Sequence, residues 1–350
     1  MHSKLIKVKK ILIFLAVSIF LGLLIFGFTL KQWIWGENIK QNLESYELLI
    51  PTGSDYDSLM KILKDNDLLE NYSSFDFVAG AMKYKKSKIR PGRYVLKPGM
   101  SNRELINLLR SGKQTPVNIT FNNVRKIDEL MGKVSHYIEA DSISLVKLIQ
   151  DSAFISKLGY NKYTILSMFI PNTYELYWNT DARQFVGRMK KEHNKFWAKN
   201  NRLVKATALD MDEKEVFTLA SVVQKETLAN DEKPKVASVY LNRLKRGILL
   251  QADPTVVFAS GDFGLKRVLN KHLDIDSPYN TYKYAGLPPG PICMPDVSSI
   301  DAVLNAEETN FLYFCAKPDG SGHHAFAKTL KQHNVNANKY RRWLNSQRIK

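Results

Sequence analysis

Glu226 is the residue best placed in this sequence to do acid chemistry. It closes the stretch Val216-Phe217-Thr218-Leu219-Ala220-Ser221-Val222-Val223-Gln224-Lys225-Glu226, which reads as a helix. Asp212 can cap the start, and Glu215 three positions on completes a capping box. Leu219, Val222 and Val223 fall on one face, and Glu226 continues that apolar stripe. A carboxylate there must be buried, paired or deliberately placed. Burial disfavours the charged form and raises the pKa, the property a general acid needs to keep its proton near neutral pH. A Glu that merely emerges at the helix end, or sits in a buried ion pair, fits the same spacing.

The text after Glu226 favours the chemical reading. A turn over 230–234 leads to a second helix that runs to Arg246 and stops at Gly247. Then come LQADPTVV (250–257), SPYNTY (277–282), GLPPGPI (286–292) and HAF (324–326), with His333-Asn334 last. Loops this rich in Pro, Gly, Tyr, Asn and Asp build polar clefts. Other arrangements are weaker. Ser221 and Lys225 lie one helical turn apart, but no nucleophile elbow accompanies them. His323, His324 and His333 fit no common helical zinc spacing. No metal or organic cofactor is expected.

These residues need a compartment and a scaffold. Ile11 to Leu30 form 20 residues without a charge, enough at about 1.5 Å per residue to cross a hydrocarbon core of roughly 30 Å. Lys4, Lys7, Lys9 and Lys10 precede the run; Lys31, Trp33 and Trp35 follow it. The positive-inside rule leaves residues 1–10 as a cytoplasmic tail, makes 11–30 the membrane anchor, and puts the rest outside the cytoplasm, on a plasma (inner) membrane. The run exceeds a signal-peptide core and no small-x-small site follows it, so an uncleaved anchor is expected.

Residues 36–45 read as a polar stalk. Tyr46-Glu47-Leu48-Leu49-Ile50 is strand-like, and Ser54 or Asp55 can cap a helix reaching Lys64. A similar unit follows: a strand over 92–96, a turn at 97–99, and a helix capped by Ser101 with Glu104 at the capping-box position, ended by Gly112. Residues 116–211 mix strand and helix around the aromatic cluster FIPNTYELYW (169–178). At 44% hydrophobic the chain can bury a sizeable core. Its net charge of +17 is scattered, with no nucleic-acid module, so it suits an anionic wall polymer or membrane surface better than nucleic acid. Cys293 and Cys315 are too few for a disulfide framework, and one bridge between them is the single pairing open.

The stretch RPGRYVLKPGMSNRELINLLRSGK (90–113) resembles the LysM-like segment that precedes the catalytic region in one family of wall enzymes. The order of the later blocks, strongest over 218–334, resembles the endolytic murein transglycosylase family of YceG-like proteins. That resemblance implies an α+β chain: a transmembrane helix, a small LysM-like module over 46–114, and a catalytic domain over 115–345 with Glu226 on a helix beside a mixed sheet. It implies lytic cleavage of peptidoglycan glycan strands, with penicillin-binding proteins as partners. Glu226 is then the catalytic acid, the second acidic position of a Glu-Lys-Glu-Thr signature. Gln224 departs from that signature at its first position. By the same resemblance Gln251, Asp253, Asn280 and Tyr282 contact sugar hydroxyls or N-acetyl groups, and His324 binds substrate or orients the acid. A hydrolytic muramidase or glucosaminidase, and a non-catalytic glycan-binding scaffold, are the rival readings.

Overall fold

The structure, a computed structural model, describes residues 2–41, 44–265 and 267–347. The chain divides into two compact units, Met1–Val117 with Glu175–Thr180, and Asn118–Tyr174 with Asp181–Lys350.

The first unit contains α1 (His2–Trp35), β1 (Tyr46–Ile50), α2 (Tyr56–Asp65), α3 (Tyr72–Ala81), β2 (Gly92–Leu96) and α4 (Asn102–Ser111). α1 is one continuous helix, long and apolar enough over Ile6–Trp35 to cross a membrane. β1 and β2 pair antiparallel, Tyr46 opposite Leu96 and Ile50 opposite Gly92. The two helices between them bury Leu59, Leu63, Phe75 and Val78 against the sheet's Leu48, Ile50 and Tyr94. The expected caps are present. Asp55 accepts from the Ser58 N–H, Ser101 and Glu104 form a capping box, and Gly112 takes the left-handed conformation at φ 66° that ends α4. α3 was not legible as a helix in the sequence, because Tyr72-Ser73-Ser74-Phe75 lacks strong helix formers.

Residues 36–41 are not the polar stalk that their composition suggests. Ile39 is buried in the core. Asn38, also buried, donates to Asn71 O (3.0 Å) and Asn102 Oδ1 (2.6 Å) and accepts from Asn71 N (2.7 Å). Asn102 donates in turn to Trp33 O (2.9 Å) and Ser74 Oγ (3.0 Å). Buried amides of this kind are stable because each donor and acceptor finds a partner. Trp33 packs edge-on against Phe77 instead of facing outward, whereas Trp35 stays exposed beneath the Arg103 guanidinium.

The second unit is mainly helical. It runs through β3 (Val117–Phe121, from its second residue), α5 (Ile127–Ser135), α6 (Ser142–Gln150), α7 (Ser152–Lys157), a 3-10 turn (Ile165–Met168), β4 (Asn172–Leu176, as far as Tyr174), α8 (Ala182–Ala198), α9 (Arg202–Ala208), α10 (Glu213–Glu226), α11 (Lys233–Lys245), α12 (Asp253–Ser260), α13 (Asn270–Leu273), α14 (Val297–Leu304), β5 (Tyr313–Ala316), β6 (His324–Ala327) and α15 (Leu330–Ser346). Among the described residues, no mixed sheet stands beside α10. Among the described residues, strands occur only as two-stranded pairs, and β5 pairs antiparallel with β6. Strands of four or five residues leave helices to supply the layers. α10 is the hub: every residue from Val216 to Val223 is buried, so the helix is enclosed on all sides and the single apolar stripe was only part of the picture. α14, α11 and α12 pack around it. Gly290 fixes the GLPPGPI loop, since a Cβ there would stand 2.0 Å from Tyr163 O.

Candidate active site

Glu226 is the last residue of α10, where the helix leaves the core. Thr227 follows in extended conformation, its N–H still bonded to Val223 O. The site is therefore anchored by a helix buried from Val216 to Val223 yet opens at its end. A cavity of about 340 Å³ lies there, its wall including Glu226, Tyr240, Arg243, Gln251, Asp253 and Tyr282, together with Tyr313, Phe314, Leu330 and His333. A wider groove of about 1300 Å³ passes Thr218, Ser238 and Asn242 but does not reach Glu226.

Tyr240 Oη donates to Glu226 Oε1 at 2.5 Å. Burial pushes the Glu226 carboxyl up to about 7, the Tyr240 hydrogen bond opposes that rise, and the negative charge of Asp253 adds to it. The carbonyl end of α10 acts in the same direction, because a helix C-terminus carries partial negative charge. The carboxyl keeps a face on the cavity, but its other surroundings are protein. Burial therefore favours the protonated acid far more than at an exposed glutamate.

Arg243, one turn after Tyr240 on α11, is buried without a carboxylate partner among the described residues. It donates to the carbonyls of Leu312 (2.7 Å), Leu249 (2.9 Å) and Leu250 (2.9 Å), and to Gln251 Oε1 (3.2 Å). It thus ties α11 to the 249–251 loop and the start of β5. Gln251 has φ 52°, left-handed and uncommon for a non-glycine residue. Its N–H bonds Thr281 O, and Thr281 Oγ1 takes the next N–H, from Ala252. These bonds set Asp253 at the head of α12. Asp253 makes no helix cap; its Oδ1 accepts from Tyr282 Oη at 2.6 Å.

Of the residues expected from the sequence, Glu226, Gln251, Asp253 and Tyr282 meet at one cavity, and Asn280 and His324 are not on its wall. Asn280 is fully buried; its Nδ2 donates to Leu273 O and Ile275 O, and its Oδ1 accepts from Tyr282 N. The amide holds the loop that presents Tyr282. His324 stands behind the wall, its Nδ1 2.9 Å from the buried Glu232 carboxylate and its ring edge-on to Phe314.

Gln224 occupies another face, as it must, since two residues along a helix turn the side chain by about 200°. It bonds Asp296 Oδ2, Lys233 Nζ and Ser299 Oγ. Ser221 is buried, donating to Thr218 O and accepting from Ile292 N, and Lys225 reaches Asn123, so the two form no pair. Cys293 and Cys315 are free thiols.

Sequence reasoning passed over Tyr240 and Arg243. Their signal was present, a Tyr and an Arg three apart and so on one helix face, but such a pair reads equally as an ordinary surface. His333 lines the cavity and stacks on Tyr313, ring centroids 5.4 Å apart.

The chain resembles known proteins over most of its length. The model of the YceG-like family matches residues 48–339. An endolytic murein transglycosylase of Bacillus subtilis is 31% identical over 330 residues, which cover 88% of this chain and 89% of that protein. An endolytic murein transglycosylase of Streptococcus pneumoniae is 28% identical over 300 residues, 76% of this chain; the chain spans about half (53%) of that longer protein. The crystal structure of a yceG-like protein from Listeria monocytogenes aligns with a TM-score of 0.55 at 28% identity, over 83% of this chain and 98% of that one.

Proposed function

Since this chain belongs to the YceG-like family, we propose that it is an endolytic lytic transglycosylase of peptidoglycan, with Glu226 as its acid and base. The observation that carries the reading is a half-buried carboxyl at the end of α10, raised to about 7 and open to a polar cavity. Glu226 gives its proton to the glycosidic oxygen between N-acetylmuramic acid and N-acetylglucosamine as that bond breaks. The carboxylate left behind then takes the proton of the C6 hydroxyl on the same muramoyl sugar. That oxygen closes on C1 to give a 1,6-anhydro end. The nucleophile is tethered within the substrate, so one carboxyl suffices and effective molarity is high. Such cleavage would terminate a growing strand, and penicillin-binding proteins, which extend strands, are the partners this role implies.

α1 serves as the single-pass anchor, its lysine-rich start in the cytoplasm and residues 36–350 outside the inner membrane. Residues 46–114 form a LysM-like module that holds the glycan, a reading supported by the strand–helix–helix–strand order of β1, α2, α3 and β2.

Asp253 favours one second reading. Two carboxyls at one cavity are also the equipment of a hydrolase, in which the second activates water. Digestion of purified peptidoglycan by the full chain in detergent, read by mass spectrometry, separates the two. The expected products are anhydro-muramoyl ends, each one water lighter than a hydrolysed end, absent with Glu226→Gln. Hydrated reducing ends would make the protein a hydrolase with Asp253 as its second group. Glycan binding without cleavage by either form would leave it a scaffold.

A further inference from the structure

We propose that Tyr240 is a positioning residue for the reaction: by holding one oxygen of Glu226 it assigns the proton transfers to the other. The inference rests on the reading of Glu226 as the acid. The Tyr240 hydroxyl meets Glu226 Oε1 at 2.5 Å, and among the described residues no protein donor reaches Oε2. Oε2 is thus the oxygen left for substrate. A carboxyl free to rotate would present either oxygen to the glycosidic bond. One pinned through Oε1 presents a single oxygen, first as acid and then as base.

The phenol suits this task. It is buried on α11 and its ring is braced edge-on by Phe314, centroids 5.9 Å apart. Burial, together with the charge of Glu226, holds the hydroxyl well above its ordinary titration range. Tyr240 therefore stays a donor at every working pH and does not compete for the proton in transit. The other charged or titratable groups on the cavity do not duplicate it. Arg243 is engaged with carbonyls and Gln251, Asp253 with Tyr282, and His333 lies on α15 against Tyr313. The hydrogen bond also stabilises the carboxylate that appears when the glycosidic oxygen takes its proton. That gain exists only once the charge has developed, which is where catalysis needs it.

Tyr240→Phe keeps the ring and its packing and removes only the donor. The expected result has two parts. The kcat for glycan cleavage falls roughly 10- to 100-fold with KM little changed, since a hydrogen bond to a charged group is lost. The titration midpoint of Glu226, followed by carboxyl-carbon NMR, moves up by about one unit for the same reason. A packing defect would lower activity without moving the midpoint upward. A loss of kcat without the shift, a shift without the loss, or a downward shift each overturns the proposal. The two readings fail separately. If the wild type leaves hydrated ends, the transglycosylase reading falls and the Tyr240 comparison is scored on those ends. If Glu226→Gln cleaves like wild type, the acid is elsewhere, and both fall whatever the Tyr240 variant does.

Discussion

Two clusters of polar groups in protected surroundings are built on opposite principles. In the first unit, Asn38 donates to Asn71 O and Asn102 Oδ1 and accepts from Asn71 N, and Asn102 donates onward to Trp33 O and Ser74 Oγ. In the second, among the described residues, Glu226 keeps one oxygen without a protein donor and His333 keeps a buried Nδ1 without a hydrogen-bond partner. Both clusters sit where unpaired polar atoms are costly. The amide cluster spends that cost on shape: it makes 36–41 part of a core. The acid cluster leaves valences open for a ligand and lives with a carboxyl that prefers its proton. A satisfied network reads as structure; an unsatisfied one at a cavity reads as a site.

The comparison breaks most visibly at Glu226. Glu226→Gln should reduce cleavage by roughly 10²–10⁴-fold, the usual contribution of a general acid–base residue. It should also stabilise the protein, and the sign can be worked out. The folded carboxyl titrates near 7, above its ordinary 4.5. Below 4.5 both folded and unfolded chains are protonated and nothing is lost. Between 4.5 and 7 the unfolded chain releases its proton first, so stability falls as pH rises. The full shift corresponds to about 3 kcal/mol as a ceiling. Denaturant unfolding should therefore show the Gln variant more stable at pH 8, with the gap closing toward pH 4. Cleavage by the wild type should decline as pH rises through about 7, because the acid must be protonated.

Gly290→Ala tests the scaffold that holds the site. Its Cβ would meet Tyr163 O at 2.0 Å, so backbone must move, and thermal unfolding should show a loss of about 3 kcal/mol. Asn38→Ala tests the satisfied cluster. It leaves Asn102 Oδ1 unpaired in the core and removes the partner of the partly buried Asn71 N–H, and should cost about 2–3 kcal/mol in unfolding of the first unit, while the Glu226 midpoint stays at its wild-type value. The smallest effect is expected at Asp253. Asp253→Asn removes a negative charge that raises the Glu226 pKa, so the alkaline limb of the pH–rate profile should move down by a fraction of a unit. A collapse of cleavage instead would argue for the two-carboxylate reaction.

Much of this was present in the sequence because it depends on local rules. The Asp212–Glu215 and Ser101–Glu104 boxes, the stop at Gly112, the end of α11 before Gly247 and the apolar run after Lys10 follow from groups a few residues apart. Placing Glu226 near the end of an apolar helix needed only the helical period. The tertiary structure decided what local rules cannot reach. Burial of α10 on every side depends on α11, α12 and α14, which pack on it from later in the chain. The joining of Asn38 to Asn102, or of Glu226 to Tyr240 and Asp253, is made by folding and leaves no periodic trace. So is the separation of Asn280 from the cavity, although it stands two residues from Tyr282, which lines it. Sequence fixes which side chains a helix or turn can offer; only packing determines which of them are enclosed, which are satisfied, and which are left free to act.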